Sequence, residues 1–338
     1  MAINLRKSTN FITAILSKDI ADTYNTDGSI QPRNGNVAWP SEASAKIGNY
    51  SVGECRRSMY YKITGIQPTE PMSVVGKSIC DAGNMYEAYF INKLKKYGML
   101  KETQQKINFL IPNSRNNVHI HGRMDCIIEH DGMKDTIELK SVGEFKAAKI
   151  MNSESALPSP SNLMQVMLYK YYLENTESGK ALDISNVYLV YINRSTGSTF
   201  YYKVDLDQEG WPVLTAYDQA GKELYTVKLK DVNSLQDLEN TTGISTSDAA
   251  RLAELKINIK DIFESLDSTF DYVTNKKLPD RDYSLVYTKT QADREHKIGR
   301  LSKIKLNRIA KGEVYGDEKC QYCMYKTKCM QDSGIVLK

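Results

Sequence analysis

No window of this 338-residue sequence approaches the roughly 18 to 20 consecutive apolar residues needed to cross a bilayer, which excludes a helical membrane span. The first nineteen residues are apolar only from Phe11 to Leu16, with no small-residue cleavage site following, so the chain reads as cytoplasmic rather than secreted. Internal repeats and low-complexity tracts are missing. Cysteines number only six, and in a cytoplasmic chain they do not read as a disulfide set. What is present is ordinary globular material: 41% hydrophobic and 25% charged residues, with 22 tyrosines. That is enough chain for one large domain or two modest ones, with a real core.

The net charge of +4 says little, but its distribution is uneven. Between Gln291 and Lys311 stand seven Lys or Arg against Asp293 and Glu295. Such a stripe, with Arg300, Lys303 and Lys305 at its centre, can neutralise phosphates. On charge alone it is equally a solvated helix face.

Four segments are expected. Residues 1–75 form an amino-terminal segment that carries Cys55, its first fifty residues a polar, loosely organised lead-in with Asn, Ser, Gly and Pro clustered from Asn25 to Pro40. Residues 76–206 hold the core. A helix is predicted over Gly76–Leu100 from the spacing of Phe90, Ile91, Leu94 and Tyr97, with Gly98 as its stop. Strands follow over Lys106–Ile111, Val118–His130 and Asp135–Lys140, the last two joined through Asp131-Gly132, a hairpin signal. A helix over Ser161–Leu173 leads to strands Val187–Asn193 and Thr199–Leu206. This order suits an α/β core, a mixed sheet flanked by helices. Residues 207–290 read as an inserted accessory region with a helix over Ala249–Asn275, and residues 291–338 carry the basic stripe and three cysteines.

The chemistry concentrates in HGRMDCIIEHDGMKDTIELKSV. Strand alternation puts Glu138 and Lys140 on one face, and pairing across the hairpin can bring Asp125 beside them. Charges among Met124, Cys126, Ile127, Ile137 and Leu139 are costly unless paired or metal-bound. Hard carboxylate oxygens suit Mg²⁺ or Mn²⁺, and a neighbouring lysine can hold the attacking water or stabilise charge developing on a phosphate. The bland alternative is a charged hairpin making surface salt bridges. Glu87 falls inside the apolar stripe of its helix, where it is a snorkelling edge residue or a third metal-site carboxylate. Gln165 and Tyr169 are an i, i+4 pair on a face shared with Leu168 and Tyr172, for core packing or for contact with the attacking water or a phosphate.

Of the cysteines, Cys126 reads as a buried small hydrophobe and Cys80 has no assignment. Cys320, Cys323 and Cys329 form a C-x₂-C-x₅-C triplet, and Cys55 would complete a Cys₄ set. A set of this kind suits either structural Zn²⁺ or a [4Fe–4S] cluster, and spacing alone does not separate them.

The series Gly83…Glu87, Gly122-Arg123-Met124-Asp125, Glu138-Leu139-Lys140 and Gln165-x-x-x-Tyr169 resembles the successive motifs of RecB-family PD-(D/E)XK nucleases. The resemblance implies a restriction-endonuclease-like core in which Asp125 and Glu138 bind catalytic Mg²⁺ or Mn²⁺. It further implies that Lys140 is the catalytic lysine and that Gln165 and Tyr169 support the site. Many relatives have histidine where this chain has Glu87. One cysteine before the core and a triplet after it is similar to the iron–sulfur nucleases of CRISPR adaptation and the nuclease domain of AddB, in which a [4Fe–4S] cluster clasps the domain ends. The implied activity is a DNA exonuclease acting at ends or on single strands in recombination, repair or replication, alongside a helicase or recombination partner. A structure-specific endonuclease with the same site and a metal-stabilised DNA-binding protein that does not cut are the rival readings.

Overall fold

A computed structural model describes residues 31–48, 50–70, 74–151, 157–242, 249–297 and 300–335. The apolar stretch at residues 11–16 and most of the polar lead-in lie outside them. Among the described residues, no helix is long and apolar enough to cross a membrane.

The centre of the molecule is one mixed sheet. Its strands are β1 (Val37–Ala38), β4 (Leu100–Leu110), β5 (His119–His130), β6 (Met133–Val142), β7 (Ile184–Asn193), β8 (Thr199–Leu206), β9 (Pro212–Tyr217) and β10 (Glu223–Lys228). A separate two-stranded ribbon pairs β2 (Ser44–Ile47) with β3 (Tyr50–Gly53). The β5–β6 hairpin turns on Asp131 and Gly132, whose φ values of 50° and 78° give the double left-handed step of a type I′ turn. From β6 the chain crosses to β7 in parallel, then runs antiparallel through β8, β9 and β10.

Helices cover both faces. The long helix α2 (Val74–Lys96) packs Tyr86, Phe90 and Leu94 against Cys126, Ile128, Ile137, Leu139 and Ile192. It ends at Gly98, whose φ of 69° takes the chain out of the helix. Tyr97, expected in the apolar stripe, lies beyond the helix and is exposed. Against the other face sits α4 (Pro160–Asn175), in which Leu163, Met164, Val166, Met167, Leu168 and Tyr172 are all buried. A helix apolar on nearly every side must be covered on its outer side too. That cover comes from α8 (Ile259–Thr274) and the β2–β3 ribbon.

The boundary drawn at residue 207 falls between hydrogen-bonded strands, since β8 pairs with β9 from Tyr201↔Tyr217 to Leu206↔Pro212. Residues of the 207–290 segment, including Leu214, Ile262 and Phe270, belong to the same core cluster as Ile107 and Leu168. The single helix expected over Ala249–Asn275 is two, α7 (Ala249–Glu254) and α8, because Asn258 caps a fresh helix start through its side chain and Asp261.

Candidate active site

Strands β5 and β6 pair as far as Cys126↔Ile137 and then part. Asp125 and Glu138 would be the next pair. Instead the Asp125 carboxylate accepts the Leu139 backbone N–H at 2.9 Å, so a side chain replaces the ladder bond where the strands splay. Beyond the fork, β6 continues with β7 as its partner, through Glu138↔Leu189 and Lys140↔Tyr191.

Glu138 is 2% exposed. Its Oε1 accepts from Lys140 Nζ at 2.5 Å and from Gln165 Nε2 at 2.7 Å, whereas its Oε2 is buried without any hydrogen-bond partner. Gln165, on α4, also donates to the Tyr169 hydroxyl at 2.8 Å, and Tyr169 donates to the Arg123 carbonyl at 2.9 Å. The i, i+4 pair of α4 therefore ties Glu138 to β5. Glu87 projects from α2, and its Oε1 accepts from Gln104 Nε2 at 2.9 Å. Gln104 belongs to β4 and lies opposite Asp125, between the pairs Thr103↔Cys126 and Gln105↔Met124. Its φ is 56°, a left-handed backbone for a non-glycine residue in mid-strand, and such strain gathers at functional sites.

The electrostatics follow from burial. Desolvation pushes the Glu138 carboxyl up to about 7, against the pull of Lys140. Burial also raises Asp125, opposed by the Leu139 N–H and by Lys140. Glu87 is raised by burial and then by the charge of Asp125. The charge of Asp125 thus reaches both Glu87 and Glu138, and all three carboxyls are less willing to ionise than in water.

Among the described residues, no group of three or more His, Cys, Asp or Glu side chains is arranged to hold a metal ion as it stands. The donor chemistry still fits a hard divalent cation: carboxylates raised by desolvation, and an orphaned oxygen on Glu138 that costs free energy until something positive meets it.

Four of the six cysteines line a separate cavity, and they too are not grouped to hold a metal ion as they stand. Cys55 precedes α1 (Arg56–Ile63), Cys320 lies in α11 (Glu318–Gln321), and Cys329 lies in α12 (Lys326–Asp332). Together with Cys323 they line one cavity of about 470 Å³, and all four are free thiols. Burial pushes the Cys55 thiol up to about 11 and raises Cys320 and Cys323 as well. Such thiols stay neutral unless a metal draws off their protons. Direct contacts already join the two ends: Arg57 donates to the Pro279 carbonyl and Ser333, Tyr61 to Asp332, and the Tyr61 and Tyr325 rings lie 5.2 Å apart. Cys126 is buried against α2, as expected of a small hydrophobe, while Cys80 is exposed.

The basic stripe is broken into α9 (Lys289–Lys297) and α10 (Lys303–Ala310). Arg300, expected to face DNA, pairs with Glu254 at 2.9 Å and Glu295 at 3.7 Å and lies over the Tyr50 ring, so its charge is spent inside the fold. Lys303 is exposed, and Lys305 sits 4.9 Å from the Tyr315 ring centroid.

The family model of the PD-(D/E)XK nuclease superfamily matches residues 81–330. The chain belongs to the PD-(D/E)XK nuclease superfamily. The match begins in α2 and runs past the last cysteine, taking in the fork, Glu87, Gln165 and the triplet. The solved structure of SSO0001 is 16% identical, with a TM-score of 0.32, over 56% of this chain and 76% of its own. No curated protein matches the chain. Asp125 and the run Glu138-Leu139-Lys140 at the fork carry the residue types that the superfamily's name spells.

Proposed function

We propose that the protein is a divalent-metal-dependent deoxyribonuclease, acting as an exonuclease on DNA ends or single strands. The observation that carries this reading is the buried, unpartnered Oε2 of Glu138, set beside Asp125 and Lys140 at the parting of two strands. Asp125 and Glu138 would hold Mg²⁺ or Mn²⁺, with Glu87 as a third carboxylate. Bound there, the cation supplies a Lewis acid for the phosphoryl oxygens and the attacking water. Lys140, whose Nζ donates to Glu138 at 2.5 Å, would orient that water and meet the charge that develops on phosphate. Gln165 and Tyr169 act through Glu138, fixing its rotamer. Lys303 and Lys305 would guide the strand.

The four thiols would hold a [4Fe–4S] cluster, with structural Zn²⁺ as the alternative. That arrangement is similar to the CRISPR-adaptation and AddB nucleases, and it fits a cytoplasmic enzyme of recombination, repair or replication with a helicase partner. Incubation with end-labelled linear DNA and circular single-stranded DNA in Mn²⁺ tests the reading. Shortening of the linear DNA alone is expected. Cutting of the circle replaces the exonuclease by an endonuclease, and no cutting of either leaves a DNA-binding protein.

A further inference from the structure

The β4–β5 ladder carries charges that the metal site does not use. Lys106 and Arg123 are direct cross-strand partners, both exposed, and among the described residues neither has an ion-pair partner. Like charges set opposite one another repel, unless an anion lies between them. The register sets this pair two residues from Gln104 and Asp125 on one side and two from Asn108 and His121 on the other. A cavity of about 660 Å³ follows the row, reaching Gln165 and Tyr169 at one end and Trp39 on its other wall.

Trp39 is 49% exposed, and it is held still. The Arg33 guanidinium lies 4.2 Å from its ring centroid and is gripped by both oxygens of Glu42, at 2.7 and 2.5 Å. Glu42 also accepts the backbone N–H of Trp39 at 3.3 Å. Next along the chain, Pro40 seats on Gly122, where a Cβ would come within 2.7 Å of its ring. The indole is thereby fixed against the ladder. His121 is kept towards its neutral form by burial and by His119.

We infer that this cavity is a single-strand subsite, with a nucleotide phosphate between Lys106 and Arg123 and an unpaired base stacked on Trp39. The inference rests on the nuclease reading and names the form of its substrate. Cations alone would accept either form of DNA. An indole face, however, is open only to a base whose own faces are not covered by neighbours in a duplex.

Trp39 and Trp211 are the two tryptophans, so in a Trp211→Phe background the emission reports Trp39 alone. Titration with oligo-deoxythymidine in EDTA should quench it, and a duplex of equal length should quench it at least about tenfold less tightly. Read by the binding of end-labelled oligo-deoxythymidine, because these substitutions remove the reporter, Trp39→Ala should weaken single-strand binding about tenfold and Trp39→Phe much less. Lys106→Gln with Arg123→Gln should flatten the salt dependence. Equal quenching by duplex, no quenching, or unchanged binding in Trp39→Ala overturns the subsite. Should Trp39→Ala misfold, the Phe variant and the double Gln variant decide by the same measurements. Wild-type cleavage with unchanged binding in Trp39→Ala sinks the subsite and spares the nuclease. Quenching by a protein that cuts nothing in Mn²⁺ does the reverse.

Discussion

Glu138 concentrates the cost of the site in one residue, because its Oε2 is buried with nothing to meet it. Asp125→Ala, Glu138→Gln and Lys140→Ala are each expected to lower cleavage at least about a hundredfold without unfolding the protein, since in the proposed reaction these groups would serve metal and phosphate rather than packing. Wild-type turnover in any of them removes that residue from the mechanism. The raised carboxyl also fixes a pH dependence. A group whose folded pKa lies above its unfolded value adds stability below the unfolded pKa, and that stability is lost as pH climbs through the folded value. For Glu138 the window runs from an unfolded value of about 4.3 to about 7. Protein stripped of metal should therefore lose up to ~4 kcal/mol from this residue across that window. Mg²⁺ should restore much of it at pH 8. Melting temperatures in EDTA from pH 5 to 8 check this, with Glu138→Gln expected to flatten the profile. An equally steep profile in that variant assigns the loss to other groups.

Among the elements, the β5–β6 hairpin was legible because its turn, alternation and carboxylates all lie within one short stretch. The helices bearing Glu87 and Gln165 were legible by periodicity, and the pairing of both with one fork was not, because it depends on contacts distant in sequence. Strands β9 and β10 read as an insertion, since each is only six residues long and β9, paired on both sides, buries Leu214, Thr215 and Ala216 in succession and so lacks alternation. The first half of β4 was missed for a related reason: Lys101 to Lys106 is a polar run, and no pattern announces a strand there. That run contains Gln104, whose left-handed backbone and bond to Glu87 have no signature in sequence. Gln104→Gly should relieve the backbone and leave the melting temperature no lower than wild type. It should also slow cleavage about tenfold, because one charge-assisted hydrogen bond to Glu87 is lost. A destabilised variant with full activity would make Gln104 a packing residue and nothing more.

At the scale of the whole molecule, α1 and the carboxy-terminal helices are joined by direct protein contacts, and residues of both line the cavity that holds the four thiols. Arg57 and Ser333, 276 residues apart, share a hydrogen bond at 2.8 Å, and the same guanidinium lies 3.7 Å from the Cys329 sulfur. A bound cluster or zinc ion would add closure of a very long loop, which is worth most when the ends are far apart in sequence. Protein purified without oxygen is expected to be brown and to carry about four iron atoms per chain. Serine at Cys55, Cys320, Cys323 or Cys329 should abolish the colour and lower the melting temperature, while serine at Cys80 or Cys126 should leave the iron in place. Colourless protein with one zinc would exchange the cluster for a Cys₄ zinc site and keep the clasp. Full metal content in Cys55→Ser is the outcome that breaks the clasp, because Cys55 is the thiol that the amino-terminal segment brings to that cavity. The contacts from Arg57 and Tyr61 would then hold the ends together by themselves.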